Sequence, residues 1–410
     1  MPVKILKGSI LIHRVFDVGG EILLARAEKL LSEDSNTCVG GETAGRCPLS
    51  SWKGSKPIRH GVPQTAKRLK LATDTRRAII IPDAPLKVEL GECALTINAA
   101  PLTARTFACV WSYGVISITL ELPITQGTAW ADLVKLASGI EASDDVHTAA
   151  VAAKDTLKKR ILAAIKQPAE WAAYEDYITY FIEKLEGVGN PRELLEKADI
   201  PALILAEGVE PLSETSRDLI TENVLQYADN DLAVIDWNSA LLVEPDGQRD
   251  VADVIEFSLT HLLEFRYYDD LLNLKLDELY DTIEQKKEGV INIFRNFYAD
   301  IAKESSTRYI EFSEFLGRIE NSLKTVGDPY LATVFRSSAE QFRFDDWRKS
   351  ISRKMQTLAD ITQILQGEVN SKRSHWLEII IIVLIAVEMI PMFMAFRQYV
   401  SLEFLFKIFR

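Results

Sequence analysis

Apolar residues in the first third of the chain recur with the short periods that are typical of β-strands. The clearest case is residues 115–122, where apolar and polar side chains alternate, which predicts a strand with one buried face and one face in water. Helical spacing predicts helices at residues 21–31 and 129–137, the second with Thr128 as N-cap and Gly139 as its end. Strands are predicted at residues 10–16, 78–81, 93–97 and 107–122, and the last of these contains the alternating residues 115–122.

The next segment of the chain mixes the same two patterns. Residues 171–185 place apolar side chains at three- and four-residue steps, which predicts a helix, and Asn190 followed by Pro191 predicts the start of another. The order is again that of a mixed α/β fold, and the sequence leaves open whether the two regions form one lobe. The remaining predictions are a strand at 202–206, a helix at 216–227, and strands at 232–237 and 240–243.

Residues 250–374 carry a long helical pattern. Asp250 is a suitable cap, apolar residues then recur at three- and four-residue steps, and residues 347–365 follow a heptad pattern. Gly327, Asp328 and Pro329 predict a bend, so the helices are expected to fold back as an antiparallel stalk. The heptads serve pairing either between chains or within one chain, and packing within the chain is the favoured interpretation.

Residues 376–396 predict a single transmembrane helix. At about 1.5 Å per residue this apolar stretch spans a hydrocarbon layer of about 30 Å. Trp376 stands where an aromatic residue meets the membrane interface, and positive charges flank both ends. A buried core helix is the alternative, but the stretch lacks the polar face of most soluble helices. Residues 398–410 predict a short helix in the far interface.

No export signal is recognised at the N-terminus, which predicts a single-pass protein of the cell inner membrane with its N-terminal region in the cytoplasm. The mitochondrial inner membrane is the alternative location.

The predicted fold class is α+β: a mixed α/β N-terminal head, a long helical, coiled-coil-like stalk, and one C-terminal transmembrane helix. The predicted domains are an α/β domain at 1–143 with a basic loop insertion at 32–77, a second α/β segment at 144–249 that belongs to the same lobe or a separate one, the stalk at 250–374, the transmembrane helix at 375–397 and an interfacial tail at 398–410.

Composition excludes some classes of function. The chain has 410 residues and a formal net charge of −12, which disfavours general nucleic-acid binding unless basic residues are locally concentrated. Its four cysteines are too few for the disulfide framework of a secreted protein, which favours a reducing compartment.

Basic residues do concentrate in residues 52–77, where Asp74 is the only acidic residue. The functional interpretation is a patch for an anionic partner, either lipid headgroups or structured RNA, because clustered cations release counterions when they bind phosphate. A solvated loop is the favoured alternative. The patch comprises Lys53, Lys56, Arg59, Lys67, Arg68, Lys70, Arg76 and Arg77.

The sequence contains none of the common catalytic or cofactor motifs. A P-loop lysine, a dinucleotide-binding glycine motif, a serine nucleophile elbow and a zinc-protease helix motif are all missing. Cys38, Cys47 and His60 could supply three metal ligands, but the nine-residue step between the cysteines differs from the spacing that holds two thiolates on one metal. No catalytic residue, cofactor or metal site is therefore predicted.

Two acidic residues stand inside the predicted membrane helix. Glu378 lies near its start, within reach of water, whereas Glu388 lies near the middle, where an ionised carboxylate is costly. We therefore expect Glu388 to contact a second helix, which predicts a homo-oligomer. Trp376, Glu378 and Glu388 are the predicted anchor and helix-contact residues.

The C-terminal region contains Lys372, Arg373, Leu377, Glu378, an isoleucine-rich run, Leu384, Ile385 and Glu388. These residues resemble the signature of the Required for Meiotic Nuclear Division (RMD/RMND) family, a domain-of-unknown-function group. Residues 17–22 and 107–118 also look like that family's N-terminal strand, helix and second strand. In departure from the pattern, a tryptophan precedes the Leu-Glu pair, the insertion at 32–77 has no counterpart, and the chain runs on past the anchor.

The resemblance implies a membrane-anchored protein without enzymatic activity that assembles into larger complexes and, in mitochondrial members, supports translation. The chain is therefore expected to be a non-enzymatic scaffold or tether, held in a lipid bilayer, for a cytoplasmic protein or ribonucleoprotein partner, without specific DNA binding. The alternative is a membrane-bound enzyme with an unrecognised active site in the α/β head. A deep cleft lined with convergent carboxylates or histidines would favour the enzyme.

Overall fold

A computed structural model gives the fold of residues 2–37, 57–58, 85–207, 212–284, 303, 307, 310–317 and 329–408. The chain divides into two compact units. The first comprises residues 1–270 and 315–349 and contains the β-sheet. The second comprises residues 271–314 and 350–410, and its described residues are helical.

One mixed sheet forms the framework of the first unit. Its described strands are β1 (Lys4–Asp17), β2 (Pro57–Ile58), β3 (Leu86–Ile97), β4 (Ala100–Val110), β5 (Val115–Pro123), β6 (Thr128–Ala129), β7 (Tyr174–Glu186), β8 (Val224–Leu225), β9 (Leu232–Ile235) and β10 (Ser239–Val243). Their order is β2-β3-β4-β5-β1-β7-β10-β9-β8, and β6 pairs with β1. The pairs are antiparallel except for β7 and β10, which run parallel. The long strand β1 therefore lies at the centre of the sheet.

The main hydrophobic core lies on one face of this sheet. Ile118 and Leu120 of β5 and Tyr180 of β7 are buried there together with Leu133 and Leu157, which belong to the helices. The helices that precede the last strands are α1 (Leu24–Thr37), α2 (Trp130–Glu141), α3 (Asp144–Ile161), α4 (Leu194–Lys197), α5 (Ile200–Ile204) and α6 (Glu214–Thr221).

The opposite face of the sheet is covered as well, although it carries many polar side chains. Ser117, Thr119 and Glu121 are all buried, because the first part of a later helix packs over them. The alternation in residues 115–122 therefore marks two buried faces, and the predicted exposure of the polar face is wrong. The later helices are α7 (Asp250–Glu284), α8 (Pro329–Gln341) and α9 (Phe344–Ile408), with a further helical segment at residues 310–317.

Two further predictions are corrected by the structure. Residues 171–185 were expected to form a helix, but most of them lie in β7, where neighbouring positions such as Ile178, Thr179 and Tyr180 are all buried. A central strand that is buried on both faces loses its period of two, so its apolar residues also satisfy a helical spacing. Residues 202–206 were expected to form a strand, but α5 covers most of them, and Asp199 caps that helix through the backbone N–H of Ala202.

Within the residues that the structure describes, no helix is both long enough and apolar enough to cross a membrane. This finding overturns the predicted transmembrane helix and tail anchor, and with them the location in the cell inner membrane or the mitochondrial inner membrane. Glu378 and Glu388 enclose a charge-free run at residues 379–387, which is about 14 Å long in a helix, whereas a hydrocarbon layer is about 30 Å thick. The residues concerned lie in α9, a helix of 65 residues.

Candidate functional site

Strand pairing brings His13 and Thr119 together on the face of the sheet that α7 covers. The two residues are opposite each other in the register of β1 and β5, and His13 Nδ1 lies 3.0 Å from Thr119 Oγ1. Leu11 and Glu121 form the next pair on the same face, because side chains two residues apart on a strand point the same way. The face of the sheet that α7 covers thus carries the histidine His13 and the carboxylate Glu121 in neighbouring cross-strand pairs.

Glu121 binds two guanidinium groups. Arg105 pairs with it across β4 and β5 and donates a hydrogen bond from Nη2 to Glu121 Oε2 at 2.7 Å. Arg249, directly before α7, donates to the other carboxylate oxygen. Because two cations share one buried carboxylate, this part of the site has a formal excess of one positive charge.

The first turns of α7 supply the other wall of the site. Arg249, Asp253 and Glu256 are three or four residues apart, which places them on one side of a helix. Lys87 of β3 reaches this side, and its Nζ atom lies 2.8 Å from Asp253 Oδ1. The ion pairs of Lys87 and Arg249 thus connect the start of α7 to two different strands.

A cavity of about 320 Å³ lies between these strands and α7. Three cationic and three anionic side chains converge on it beside one histidine. A concave site on which titratable side chains converge beside a smaller apolar surface is a candidate binding site. The lining residues are Leu11, His13, Lys87, Val88, Arg105, Phe107, Thr119, Glu121, Arg249, Ala252, Asp253 and Glu256.

Two side chains of this pocket contain buried polar atoms without a hydrogen bond. His13 Nε2 and Glu256 Oε1 have no partner among the described residues, and the two side chains belong to residues that are only 2% and 4% exposed. Burial lowers the pKa of His13, and the carboxylate of Glu256 opposes this shift. At neutral pH the ring is therefore uncharged and can accept one hydrogen bond as well as donate one.

Cys109 is buried and interacts with Glu256 of the pocket. Its thiol donates a hydrogen bond to the Glu256 carboxylate, and burial together with the charge of Glu256 raises the pKa of Cys109 well above its usual range. A thiol with a raised pKa is a poor nucleophile, so the geometry does not support cysteine catalysis. In the parts of the chain that the structure describes, no three His, Cys, Asp or Glu side chains form a group that could hold a metal ion.

Among the residues that the structure describes, none of those singled out from the sequence as a site lines this pocket. Trp376, Glu378 and Glu388 lie in α9, where the two glutamates are exposed. The basic patch, from Lys53 to Arg77, lies outside the described residues, as do Cys38, Cys47 and His60, so the patch stays a prediction. The patch comprises Lys53, Lys56, Arg59, Lys67, Arg68, Lys70, Arg76 and Arg77.

Sequence reasoning missed the pocket because its members come from five separate segments. One signal was present: Thr119 and Glu121 are polar positions that alternate with strongly apolar residues in the same strand. A second was His13, which together with Arg14 interrupts an apolar run. Neither signal indicates which helix covers the strand, so the contribution of α7 could not be foreseen.

The class of protein follows from comparison with known families: the chain carries a domain of unknown function. Residues 57–250 match the family described as "Uncharacterized protein MJ0711, N-terminal domain". Uncharacterized protein MJ0711 of Methanocaldococcus jannaschii is 22% identical to this chain over 196 residues, which are 48% of this chain and 59% of that protein. The chain thus spans about three fifths of the length of this relative. No solved structure matches the chain.

The matched segment includes only part of the pocket. Lys87, Arg105, Glu121 and Arg249 fall within residues 57–250, as do Val88, Phe107 and Thr119. His13 precedes the segment, and Asp253 and Glu256 follow it. The two residues with unpartnered buried atoms therefore both lie outside the matched segment.

Proposed function

We propose that the first unit is a ligand-binding domain and that it binds a small charged molecule in the pocket between β1, β3, β4, β5 and α7. The observation that carries this proposal is the convergence of seven ionisable side chains on one cavity, two of them with buried polar atoms that lack a partner among the described residues. A ligand that hydrogen-bonds to these atoms would remove the cost of leaving them unpaired.

That cost is large enough to require an explanation. A buried polar atom without a hydrogen bond destabilises a fold by about 1–3 kcal/mol, and a typical domain is stable by only about 5–15 kcal/mol. A core built for stability alone would place apolar residues here. The polar surface beneath α7 therefore favours a binding role over a purely structural one.

The pocket also bears on the choice between a scaffold and an enzyme. A cleft with convergent carboxylates and a histidine was the feature expected of the enzyme alternative, and it supports small-molecule binding, with or without turnover. A scaffold for a protein or ribonucleoprotein partner, and the finer assignment to the Required for Meiotic Nuclear Division family with its link to translation, stay proposals that rest on the short sequence resemblance.

Thermal unfolding of the full chain, measured with a panel of small organic acids, amines, amino acids and phosphates, tests this proposal. A ligand that binds only the folded state raises the Tm by an amount that grows with its concentration. At least one compound should raise the Tm of the parent protein and lose that effect in Arg105→Gln. Arg217→Gln is the matched control, since it breaks an ion pair with Asp199 and neither residue lines the pocket.

Two results would contradict the proposal. One is a panel in which no compound changes the Tm. The other is a stabilising compound whose effect is the same in the parent protein, in Arg105→Gln and in Arg217→Gln, because such a compound would bind elsewhere.

A further inference from the structure

We infer that the ligand of this pocket is a small molecule with an anionic group at one end and an amino group at the other. The inference rests on the proposed function, because it names the chemical class of the molecule that the pocket binds. It is drawn from the unequal distribution of charge and hydrogen-bond partners along the pocket.

One end of the pocket is suited to an anion. Arg105 and Arg249 both pair with Glu121, so two guanidinium groups face one carboxylate. Each guanidinium has five N–H donors, and one shared carboxylate uses only a few of them. A carboxylate or phosphate on the ligand would take up the remaining donors, and such paired geometry is what arginine side chains favour.

The other end is suited to a hydrogen-bond donor that carries positive charge. Glu256 is buried, and its Oε1 atom has no partner among the described residues. His13 Nε2 is likewise without a partner within the described part of the chain. When Nδ1 of His13 donates to Thr119 Oγ1, the Nε2 atom is an acceptor. Two acceptors, one of them on a carboxylate, together suit an amino group.

The remaining charged side chains of the pocket add no net charge. Lys87 and Asp253 pair with each other, so the two ends described above carry the unequal charge. Leu11, Phe107 and Ala252 also line the cavity and offer an apolar surface. A short aliphatic chain between the two charged groups of the ligand would fit such a lining.

The fold sets the separation of the two ends. His13 lies two residues from Leu11, which pairs with Glu121, so the ends are about 7 Å apart along the strands. Arg249 and Glu256 are seven residues apart, or about 10 Å along a helix. The ligand should therefore hold its charged groups roughly 7–10 Å apart, which excludes the close spacing of the α-amino and α-carboxyl groups of an amino acid.

Three matched probes test this inference by isothermal titration calorimetry on the full chain at pH 7. The probe 6-aminohexanoate carries both groups, hexanoate carries the anion alone, and hexylamine carries the amine alone. We expect 6-aminohexanoate to bind about tenfold more tightly than either of the others, which is the effect of one additional charged hydrogen bond. This comparison uses only the parent protein and does not depend on the folding of any variant.

Two substitutions assign each end of the probe to its side chain. Glu256→Gln should weaken binding of 6-aminohexanoate about tenfold and leave hexanoate unchanged, whereas Arg105→Gln should weaken both. Glu244→Gln is the matched control for Glu256→Gln, because Glu244 is also buried but does not line the pocket. Far-ultraviolet circular dichroism of each variant checks that the fold is retained.

The outcomes separate this inference from the proposed function. Equal binding of hexanoate and 6-aminohexanoate, or an unchanged ratio of the two affinities in Glu256→Gln, would overturn the two-ended ligand while the pocket remained a binding site. No binding of any of the three probes would overturn it as well. If the panel of acids, amines, amino acids and phosphates also gave no change in Tm, the proposed function would fail with it.

Discussion

At the scale of single residues, the burial of an ionisable side chain makes stability depend on pH. Glu244 follows β10 and is buried. Its burial, and to a lesser extent the negative charges of Asp231 and Asp246, raise its pKa to about 7. The ordinary pKa of a glutamate is 4.5. Between about pH 4.5 and pH 7, Glu244 is therefore protonated in the folded state and ionised in the unfolded chain. The contribution of Glu244 to stability is therefore complete below about pH 4.5 and is lost as the pH rises through about 7.

Replacing Glu244 with glutamine should remove this dependence on pH. The neutral amide has the shape of the protonated carboxyl group, so we expect Glu244→Gln to raise the free energy of unfolding at pH 8 by on the order of 1–3 kcal/mol and to change it little at pH 5. Urea denaturation at both pH values measures the difference. Glu222→Gln is the control, since Glu222 is exposed; a gain of the same size at pH 5 and pH 8 would contradict the explanation.

A second residue-scale prediction concerns Gly114, which lies between β4 and β5. Its φ angle is +94°, and a Cβ atom there would lie 2.0 Å from the carbonyl oxygen of Gly19 and 2.4 Å from that of Gly20. Both are backbone atoms, which cannot move away as a flexible side chain could. We therefore expect Gly114→Ala to lower the free energy of unfolding by on the order of 2–4 kcal/mol.

Gly127 offers a matched control for this substitution. Its φ angle is +84°, but a Cβ atom at this position would have no atom within 4 Å. Gly127→Ala should therefore show only the backbone strain of about 1–2 kcal/mol. Chemical denaturation of both variants measures the two losses, and equal losses would show that steric conflict at Gly114 is unimportant.

At the scale of secondary-structure elements, the ion pair between Lys87 and Asp253 connects β3 to α7. Both side chains are largely buried, and the pair is 2.8 Å long. A double-mutant cycle with Lys87→Ala and Asp253→Ala should give a coupling energy of about 1 kcal/mol or more. The exposed pair of Asp132 and Lys135 is the control, with an expected coupling energy near zero.

The outcome of this cycle indicates how firmly α7 is held on the sheet. If the coupling energy of Lys87 and Asp253 is as small as that of the exposed pair, the ion pair does not fix the start of α7. The wall of the pocket formed by that helix would then depend on apolar packing, such as the contact between Trp111 and Phe257, whose ring centres are 5.2 Å apart.

The elements also show which parts of the fold the sequence could predict. The mixed α/β character was expected, and β9 and β10 were expected at nearly their observed positions, because each has a run of apolar residues of strand length. Only the second half of β1 was expected, and the strand predicted at 107–122 is two strands, the end of β4 and most of β5. β7 was not, since a strand that is buried on both faces has no alternation to reveal it. The helix α3 was missed because its apolar residues are few and many of them are alanine.

The pocket was harder to predict than the elements around it. Its residues come from β1, β3, β4, β5 and α7, and only long-range pairing brings them together. The positions of Thr119 and His13 were visible as polar interruptions of apolar runs. Their place in the pocket depends on α7 with Glu256, which is more than 100 residues away from both along the chain. A single sequence contains no information about such long-range contacts.

At the scale of the whole molecule, α9 presents an exposed apolar surface in the second unit. The side chains of Ile381 and Leu384 are 55% and 59% exposed, and their apolar neighbours from Leu377 to Ile390 are similarly exposed. Contiguous apolar surfaces of this kind mark interaction sites or cause association. The predicted homo-oligomer stays a prediction, and this surface is where it can be tested.

Placing charge on this surface should reduce association between chains. We expect the double variant Ile381→Glu and Leu384→Glu to contain fewer large species than the parent protein in sedimentation velocity, because each new carboxylate must lose its hydration when the surface is covered. Glu314→Gln, a change on an exposed helical residue, serves as the control. An unchanged distribution of sedimentation coefficients would show that this part of α9 does not mediate association.

The boundaries of the matched family segment have a consequence for how related proteins can differ. The segment at residues 57–250 includes both arginines and the carboxylate that they share, whereas His13 and Glu256 lie on either side of it. A protein that is similar only over this segment can retain the arginines proposed to bind the anion and have different residues at the positions proposed to bind the amino group. One short stretch of β1 and one turn of α7 would then determine which ligand the pocket binds. Substitutions in these two stretches could change the ligand specificity while the sheet stays the same.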